Sequence, residues 1–139
     1  MSSELALLTE VVAALKGDAV YMATIPGGLH DGTAPKGTAF PYTTLDGSVE
    51  TLEATHDVDG YHLVITFSDW TELEGKTEAL EIRNARDDVL HNTILSPVGW
   101  GATSIRRDFG TVQEEWDADL KKTLRHGVSR YRVSTLKDA

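Results

Sequence analysis

Cysteine is absent from the 139-residue sequence, which excludes disulfides, thiol catalysis and zinc or iron–sulfur sites held by cysteine. Long apolar runs are missing as well, and no segment approaches the roughly 20 apolar residues that a membrane-spanning helix needs. The opening MSSELALLTEVVAALKG carries Glu4 and Glu10 and no basic stretch, so we expect no signal peptide. These absences fit a protein of a reducing compartment such as the cytoplasm, without membrane contact.

Basic charge is also scarce, since 13 Lys and Arg face 22 Asp and Glu, for a net charge of -9. Residues 1–104 carry 16 acids and 5 bases, whereas residues 105–139 carry 6 acids and 8 bases. An acidic body repels phosphate groups, so we do not expect the protein to wrap DNA or RNA. The same sign of charge suits a surface that lines a passage for DNA without gripping it.

The residues that are present describe an ordinary globular chain, with 40% apolar and 25% charged residues. A chain of this length buries roughly two-thirds of the surface that it exposes when unfolded. We therefore expect one domain over residues 1–139. Residues 26–37 hold four glycines and two prolines, which leaves little room for regular structure and predicts a flexible loop at about residues 26–39.

The spacing of apolar residues predicts the α+β class, with one mixed or antiparallel sheet and two main helices packed on one face. The predicted order is α-β-β-β-α-β-β. The helices are expected at about residues 4–16 and 72–91, and the strands at about 19–25, 42–55, 61–68, 102–116 and 123–135. Asp46 and Gly47 predict a bulge or bend in the second strand. A helix over residues 116–126 is the alternative to a strand and turn there, because Trp116, Leu120 and Leu124 recur every four residues.

The stretch THDVDGYHLVITF gathers four side chains of the kind that bind metals: His56, Asp57, Asp59 and His62. A zinc or iron site needs a further converging ligand, and a calcium loop needs more acids than this one has. Asp-Gly between two strand patterns is a strong hairpin signal. We therefore interpret the stretch as a hairpin with Asp59 and Gly60 in the turn, and we expect alternate residues from Tyr61 to Phe67 to face the core.

Motifs of catalysis and cofactor binding are missing. No serine lies in a G-x-S-x-G elbow, and no G-x-G-x-x-G follows a strand pattern. GTAPKGT is not a phosphate loop, because Lys36 precedes Gly37 and no helix pattern follows. We therefore predict that the protein is not an enzyme and holds no metal or cofactor.

The chain has one basic cluster, in its last two predicted strands. If those strands pair, Arg106 and Arg107 could meet Arg130 and Arg132 on a solvated face. Such arginines can contact a partner, or they can simply protect a sheet edge from aggregation. The sequence leaves these two alternatives open.

Several local sequences together resemble the small tail terminator proteins of long-tailed bacteriophages and gene transfer agents. These are ALLTEVVAALKG followed by VYMATIPGG, FPYTTLDGSVET leading to DGYHLVITFSDW, the helix TEALEIRNARDDVLHN and the closing RHGVSRYRVST. The resemblance covers nearly the whole chain. It depends on a Pro-Tyr strand entry, a histidine before the central strand and an arginine-rich last strand.

The resemblance implies a non-enzymatic structural protein that assembles as a ring of six copies. Such a ring caps the finished tail tube and joins it to the head connector, at the neck end of a virion tail assembled in the host cytoplasm. Its partners are other copies of itself, the tube protein and the connector protein, and DNA passes through without specific binding. Two alternatives are another head–tail connector component, or a small ligand-binding or enzyme domain that uses the Asp/His hairpin.

The resemblance also implies that residues 26–39 form an arm that contacts the tube or a neighbouring subunit. Together with the basic cluster, this gives a set of candidate protein-interface residues: His30, Lys36, Phe40, Tyr42, Trp100, Arg106, Arg107, Arg130 and Arg132.

Overall fold

The computed structural model describes residues 3–54, 59–95 and 103–136, which form three helices and six strands. In chain order these are α1 (Ser3–Lys16), α2 (Ala19–Thr24), β1 (Leu29–Asp31), β2 (Tyr42–Ala54), β3 (Asp59–Thr71), α3 (Thr77–Leu90), β4 (Thr93–Leu95), β5 (Thr103–Asp117) and β6 (Lys122–Leu136). None of the helices in these ranges is long and apolar enough to cross a bilayer.

The strands form one six-stranded sheet in the order β1-β2-β3-β6-β5-β4. β1 pairs with β2 in parallel, and the other neighbours pair antiparallel. Helices pack on one face of this mixed sheet, and the apolar core lies between the two layers. The predicted α+β class is confirmed.

The segment after α1 is helical, so the strand predicted at residues 19–25 is wrong. Gly17 ends α1, and the Asp18 carboxylate caps α2 by accepting a hydrogen bond from the Tyr21 N–H at 2.8 Å. Tyr21 and Ile25 lie one helical turn apart and are both buried. A six-residue apolar segment fits either periodicity, and the aspartate cap at its start favours the helix.

α3 begins at Thr77, five residues later than predicted, and it ends where the sequence indicates. Gly75 lies before it with a φ of 83°, and Asn92 lies after it with a φ of 60°, a left-handed conformation typical of a helix end. The apolar spacing of this helix predicts a core stripe of Ala79, Ile82, Ala85 or Arg86, and Val89, with Leu80 and Leu90 beside it. Ala79, Ile82 and Leu90 are indeed buried. Arg86 is part of the same buried stripe.

β2 and β3 form the predicted hairpin, but its turn lies elsewhere. Asp59 pairs with Ala54 and Gly60 with Glu53, so both belong to β3 and not to the turn. The connecting residues 55–58, which include His56 and Asp57, lie outside the described residues. The hairpin is therefore longer than the Asp-Gly signal indicated.

The central strand has the predicted core face, with Leu63, Ile65 and Phe67 all buried. The predicted bulge in β2 is also confirmed, because the pairing with β3 shifts between Leu45 and Gly47.

The glycine-rich segment contains regular structure that was not expected there. Leu29 to Asp31 form β1, which lies parallel to the start of β2. A Cβ at Gly27 would lie 1.8 Å from the carbonyl oxygen of Ala39. Only glycine allows this close approach, which holds the two ends of the segment together.

β5 and β6 form a second long hairpin, so the strand-and-turn prediction is confirmed and the helix alternative at residues 116–126 is wrong. The Asp117 carboxylate accepts hydrogen bonds from the N–H groups of Asp119 and Leu120, each at 2.9 Å, and fixes the turn. β4 was also not predicted. It follows α3 closely in the chain and pairs with Thr103 to Ile105.

Candidate functional site

The sheet has a covered face and an open face. The covered face packs against the helices, whereas the open face consists of the alternate side chains of β2, β3, β6 and β5 that point away from them. Most of the predicted interface residues lie on or beside this open face.

Three of the four predicted arginines meet there, and we call Arg106, Arg130 and Arg132 the open arginine cluster. Arg106 lies directly opposite Arg132 on the neighbouring strand. The Arg130 guanidinium lies 4.7 Å from the centre of the Phe109 ring, a cation–π contact. Arg132 forms an ion pair with Asp108 at 3.1 Å. Within the described ranges, no carboxylate lies within ion-pair distance of Arg106 or Arg130.

Arg107 is separated from this cluster and lies on the covered face. Its Nε is 2.8 Å from the Asp87 carboxylate on α3, and its backbone N–H donates to Nδ1 of His91 at 2.9 Å. The pairing with β6 shifts between Arg107 and Phe109. Because the bulge adds one residue to β5, odd-numbered residues face the helices before it and even-numbered residues face them after it.

The other candidates gather at the far end of the open face, around the glycine-rich segment. The Nε2 of His30 donates to the Gly27 carbonyl at 2.8 Å, and its ring meets the Tyr42 ring edge-on at 6.0 Å. The Phe40 ring lies 5.3 Å from Tyr42, with the ammonium of Lys122 above it at 5.3 Å. Lys36 is exposed in the same segment, and Trp100 lies outside the described residues. A shallow depression of about 270 Å³ beside Tyr42 and Trp70 belongs to this region.

A chain of hydrogen bonds crosses the open face from β5 to β2, with one residue from each of four strands. The Glu115 carboxylate is 2.8 Å from Nδ1 of His126, and Nε2 of the same ring is 2.7 Å from the Ser68 hydroxyl. The Ser68 hydroxyl donates to the Asp46 carboxylate. The His126 ring stacks on Trp70 with centroids 4.0 Å apart.

Serine, histidine and carboxylate in this order resemble the catalytic arrangement of serine hydrolases. However, Ser68 is only 1% exposed, and its proton is committed to Asp46. A buried hydroxyl with both neighbours engaged cannot reach a substrate. The network therefore ties four strands together rather than presenting a nucleophile.

A second polar network lies in the core, and sequence reasoning missed it. Arg86 is fully buried, and its guanidinium makes five hydrogen bonds, which use every N–H that it has. Two go to the Asp69 carboxylate, at 2.6 and 2.7 Å. The others go to the hydroxyls of Tyr21, Tyr131 and Ser129.

Burial and neighbouring charges set the pKa values of the titratable groups in this core network. Burial by itself lowers the pKa of Arg86, but the adjacent Asp69 carboxylate more than offsets this and raises it, so the guanidinium stays charged. Burial raises the pKa of Tyr131 well above its ordinary value, and the hydrogen bond that its hydroxyl donates to Asp87 raises it further. The network joins α2, α3, β3 and β6 and holds them in one arrangement.

The sequence did contain a signal for this centre. Arg86 lies at a core position of the α3 stripe between Ile82 and Leu90, and Asp69 continues the inward alternation after Phe67. A cation and an anion, each predicted to face the same core, indicate a buried pair.

The Asp/His hairpin does not supply a metal site in the part of the chain that the structure describes. Nδ1 of His62 is 2.8 Å from the hydroxyl of Ser134 on the neighbouring strand. Among the residues described, no three His, Asp or Glu side chains are grouped so that they could hold a metal ion.

Comparison with known proteins identifies the family. The family model for tail completion protein gp17 matches residues 9–136 of this chain. The chain belongs to the tail completion protein gp17 family. It is therefore a structural protein of phage-type tails, and the resemblance to tail proteins of bacteriophages and gene transfer agents is confirmed.

The fold of this tail completion protein also occurs in a solved particle. A chain of the virion of a native gene transfer agent particle superposes with a TM-score of 0.75 and 17% sequence identity, over 92% of each chain. At this identity the match shows a shared fold. No curated protein matches the sequence.

Proposed function

We propose that this tail completion protein forms a closed ring of six copies that caps the tail tube. The ring ends tube polymerisation and joins the tube to the head connector, at the neck end of a tail assembled in the host cytoplasm. Residues 1–139 act as one domain in each copy, without catalytic activity. The observation that carries the proposal is the family match over residues 9–136.

Charge supports a ring through which DNA passes. The chain has a net charge of -9, and we propose that part of this acidic surface lines the lumen, where it repels the phosphate backbone and lets DNA slide without specific binding.

Charge also supports a head-to-tail contact between copies. A ring needs a heterologous interface, in which two different surfaces of one protomer meet their counterparts on its neighbours. β2 carries Asp46, Glu50 and Glu53 and no lysine or arginine, whereas the open arginine cluster lies on β5 and β6. Opposite charges on separate surfaces set the order and direction of assembly.

The aromatic residues beside the glycine-rich segment are proposed to contact the tube or the neighbouring subunit. His30, Phe40 and Tyr42 form one ring cluster with Lys36 in the adjoining loop. Aromatic side chains are enriched in protein interfaces, because they bury a large apolar area and lose little entropy. Trp100 is proposed as a further contact.

The capping role is tested in cells that produce the particle but lack this chain. We expect tubes of uncontrolled length and heads without attached tails, and complementation should restore both. Imaging of complemented particles should show a sixfold ring at the head-proximal end of each tube. Tubes of normal length that fail only to join heads would instead assign the protein to the connector and overturn the capping role.

The charged contact is tested with Arg130→Glu and Arg132→Glu combined in one variant. We expect ring formation to fall at least tenfold, because like charges then face each other, while the Tm changes by only a few degrees. Lys16→Glu, an exposed reversal at the end of α1, is the matched control and should assemble normally. Unchanged assembly of the double variant would remove these arginines from the interface.

A further inference from the structure

Among the described residues, the sheet has two long edge segments without a strand partner on their outer side. β1 covers β2 only at Thr43 to Leu45, and β4 covers β5 only at Thr103 to Ile105. Beyond these short strands, residues 47–54 of β2 and residues 106–117 of β5 have a strand partner on one side only within the described chain. Uncovered edges of eight and twelve residues expose rows of backbone donors and acceptors.

At its start, next to β4, β5 already forms hydrogen bonds through backbone groups that point away from β6. The Ile105 carbonyl accepts from the Asn92 N–H at 2.7 Å, and the Arg107 N–H donates to His91 at 2.9 Å. Because outward and inward residues alternate along a strand, the pairing with β6 beyond the bulge directs four further residues outward: Gly110, Val112, Glu114 and Trp116. Their N–H and C=O groups are positioned to receive another strand.

This edge has charged residues and a bulge, which can protect a sheet edge, but it also carries exposed apolar side chains. Phe109 is 41% exposed and Trp116 is 66% exposed. Soluble proteins normally shorten or cover such an edge, because it invites pairing with another chain. This long edge with exposed aromatic side chains therefore favours a contact with a strand of another chain.

Guanidinium groups border the middle of this edge on both faces. On the covered face, Arg83 lies over Gly110, where a Cβ would come within 2.1 Å of its Nη1. Its Nε is buried and has no hydrogen-bond partner among the described residues. On the open face, Arg106 and Arg130 flank Phe109. The acids of this edge already have partners, since Asp108 contacts Arg132, Glu114 contacts Arg125 and Glu115 contacts His126. The cations that border the middle of the edge therefore favour an acidic docking strand.

The uncovered edge of β2 is acidic and carries an exposed apolar residue, so it is complementary to the uncovered edge of β5. β2 carries three acids and no base, and Val49 on its open face is 66% exposed. Its eight uncovered residues fit within the twelve of β5. A pairing of two β2 edges would bring acids together and would close as a two-fold dimer, which cannot build a ring.

We propose that the uncovered edge of β2 in one copy pairs antiparallel with the uncovered edge of β5 in the next, so that the sheet continues from subunit to subunit. The direction follows from the sheet itself. β2, β3, β6 and β5 alternate in direction, so β2 and β5 run antiparallel, and a neighbour placed in the same orientation presents an antiparallel edge. This inference rests on the proposed ring and names the surfaces that join its copies.

Introduced disulfides test the pairing directly, because the natural chain has no cysteine. Val49→Cys is combined in turn with Phe109→Cys, Thr111→Cys or Gln113→Cys, three open-face positions along β5. A disulfide requires Cβ atoms roughly 3.5–4.5 Å apart. We expect one of the three combinations to give a ladder of crosslinked species up to the complete ring after oxidation of purified particles. Val49→Cys with Val20→Cys on α2, which is 73% exposed, is the matched control and should give no ladder.

A backbone variant gives an independent measurement. Val112→Pro removes an outward N–H and leaves the bonds to β6 intact, since proline is tolerated at a strand edge. We expect at least a tenfold loss of ring formation with Val112→Pro and none with Val112→Ala.

The outcomes separate the two proposals. Rings at tube ends without any crosslinked ladder would overturn the edge pairing and leave the capping role standing. Absence of the chain from the tails would overturn both. A ladder that joins the chain to the tube protein instead of to itself would also overturn the pairing between copies.

Discussion

Arg86 on α3 and Asp69 on β3 form a bidentate ion pair in the core, with Nη1 2.6 Å from Oδ1 and Nη2 2.7 Å from Oδ2. The two side chains are 0% and 1% exposed. The same carboxylate also accepts from the hydroxyl of Thr43 at 2.7 Å. Every polar atom of the pair has a partner, and this condition makes a buried charge tolerable.

Replacing one member of this pair should be strongly destabilising. Arg86→Met leaves the Asp69 carboxylate buried without its counter-ion, and we expect the free energy of unfolding to fall by about 3–5 kcal/mol. The double variant Arg86→Met with Asp69→Leu should lose less than the two single variants added together. Urea denaturation measures all three. Lys122→Met, which breaks an exposed pair with Glu72, is the control and should cost less than about 1 kcal/mol. An equal cost for Arg86→Met and Lys122→Met would contradict the core role.

Stability should fall in alkaline solution. Burial raises the pKa of Tyr131 and of Tyr21 above the ordinary value of 10.0, so the folded protein favours the neutral phenols. Their contribution to stability is complete below about pH 10 and is lost as the pH rises from there through the raised pKa values. We expect the free energy of unfolding to decline over this range, and less steeply in Tyr131→Phe than in the natural protein. Identical slopes in the two proteins would show that Tyr131 does not contribute.

Two glycines should respond differently to alanine. A Cβ at Gly27 meets the backbone carbonyl of Ala39, whereas a Cβ at Gly110 meets the far end of the Arg83 side chain. A side chain can move away and a backbone cannot do so cheaply. We expect Gly27→Ala to cost about 3 kcal/mol and Gly110→Ala clearly less, as measured by thermal unfolding. The reverse order would show that residues 26–39 readjust more easily than the structure indicates.

The spacing of apolar residues predicted correctly those helices and strands in which it repeats without interruption. Leu63, Ile65 and Phe67 alternate without interruption, and the buried face of β3 follows directly from them. The α2 helix is too short for its period to be distinguished, and its one clear signal is the cap at Asp18. Short elements are determined by their caps and tertiary contacts more than by their apolar spacing.

The sequence predicted which arginines belong to the candidate site, but not which face of the sheet each of them occupies. The sequence brought Arg106, Arg107, Arg130 and Arg132 together, but adjacent residues of a strand face opposite sides, so Arg107 lies on the covered face while Arg106 lies on the open face. Which strands pair, and where a bulge shifts their pairing, is not shown by one sequence. For the same reason, Arg86 could be placed in the core stripe without its partner Asp69 being known.

The short strands β1 and β4 lie at diagonally opposite corners of the sheet, and their positions determine how the edges of two copies can pair. Thr51 lies level with Ser104 across the sheet, beside β4, whereas Thr43 lies level with Val112, at the opposite corner. A neighbour joined edge to edge must therefore slide along the strands by five residues or more, roughly 17 Å. Over four strands about 4.8 Å apart, such a slide inclines the strands by roughly 40° to the ring axis, as shear does in a closed barrel. In a ring built in this way, the strands of each copy wind obliquely around the ring axis.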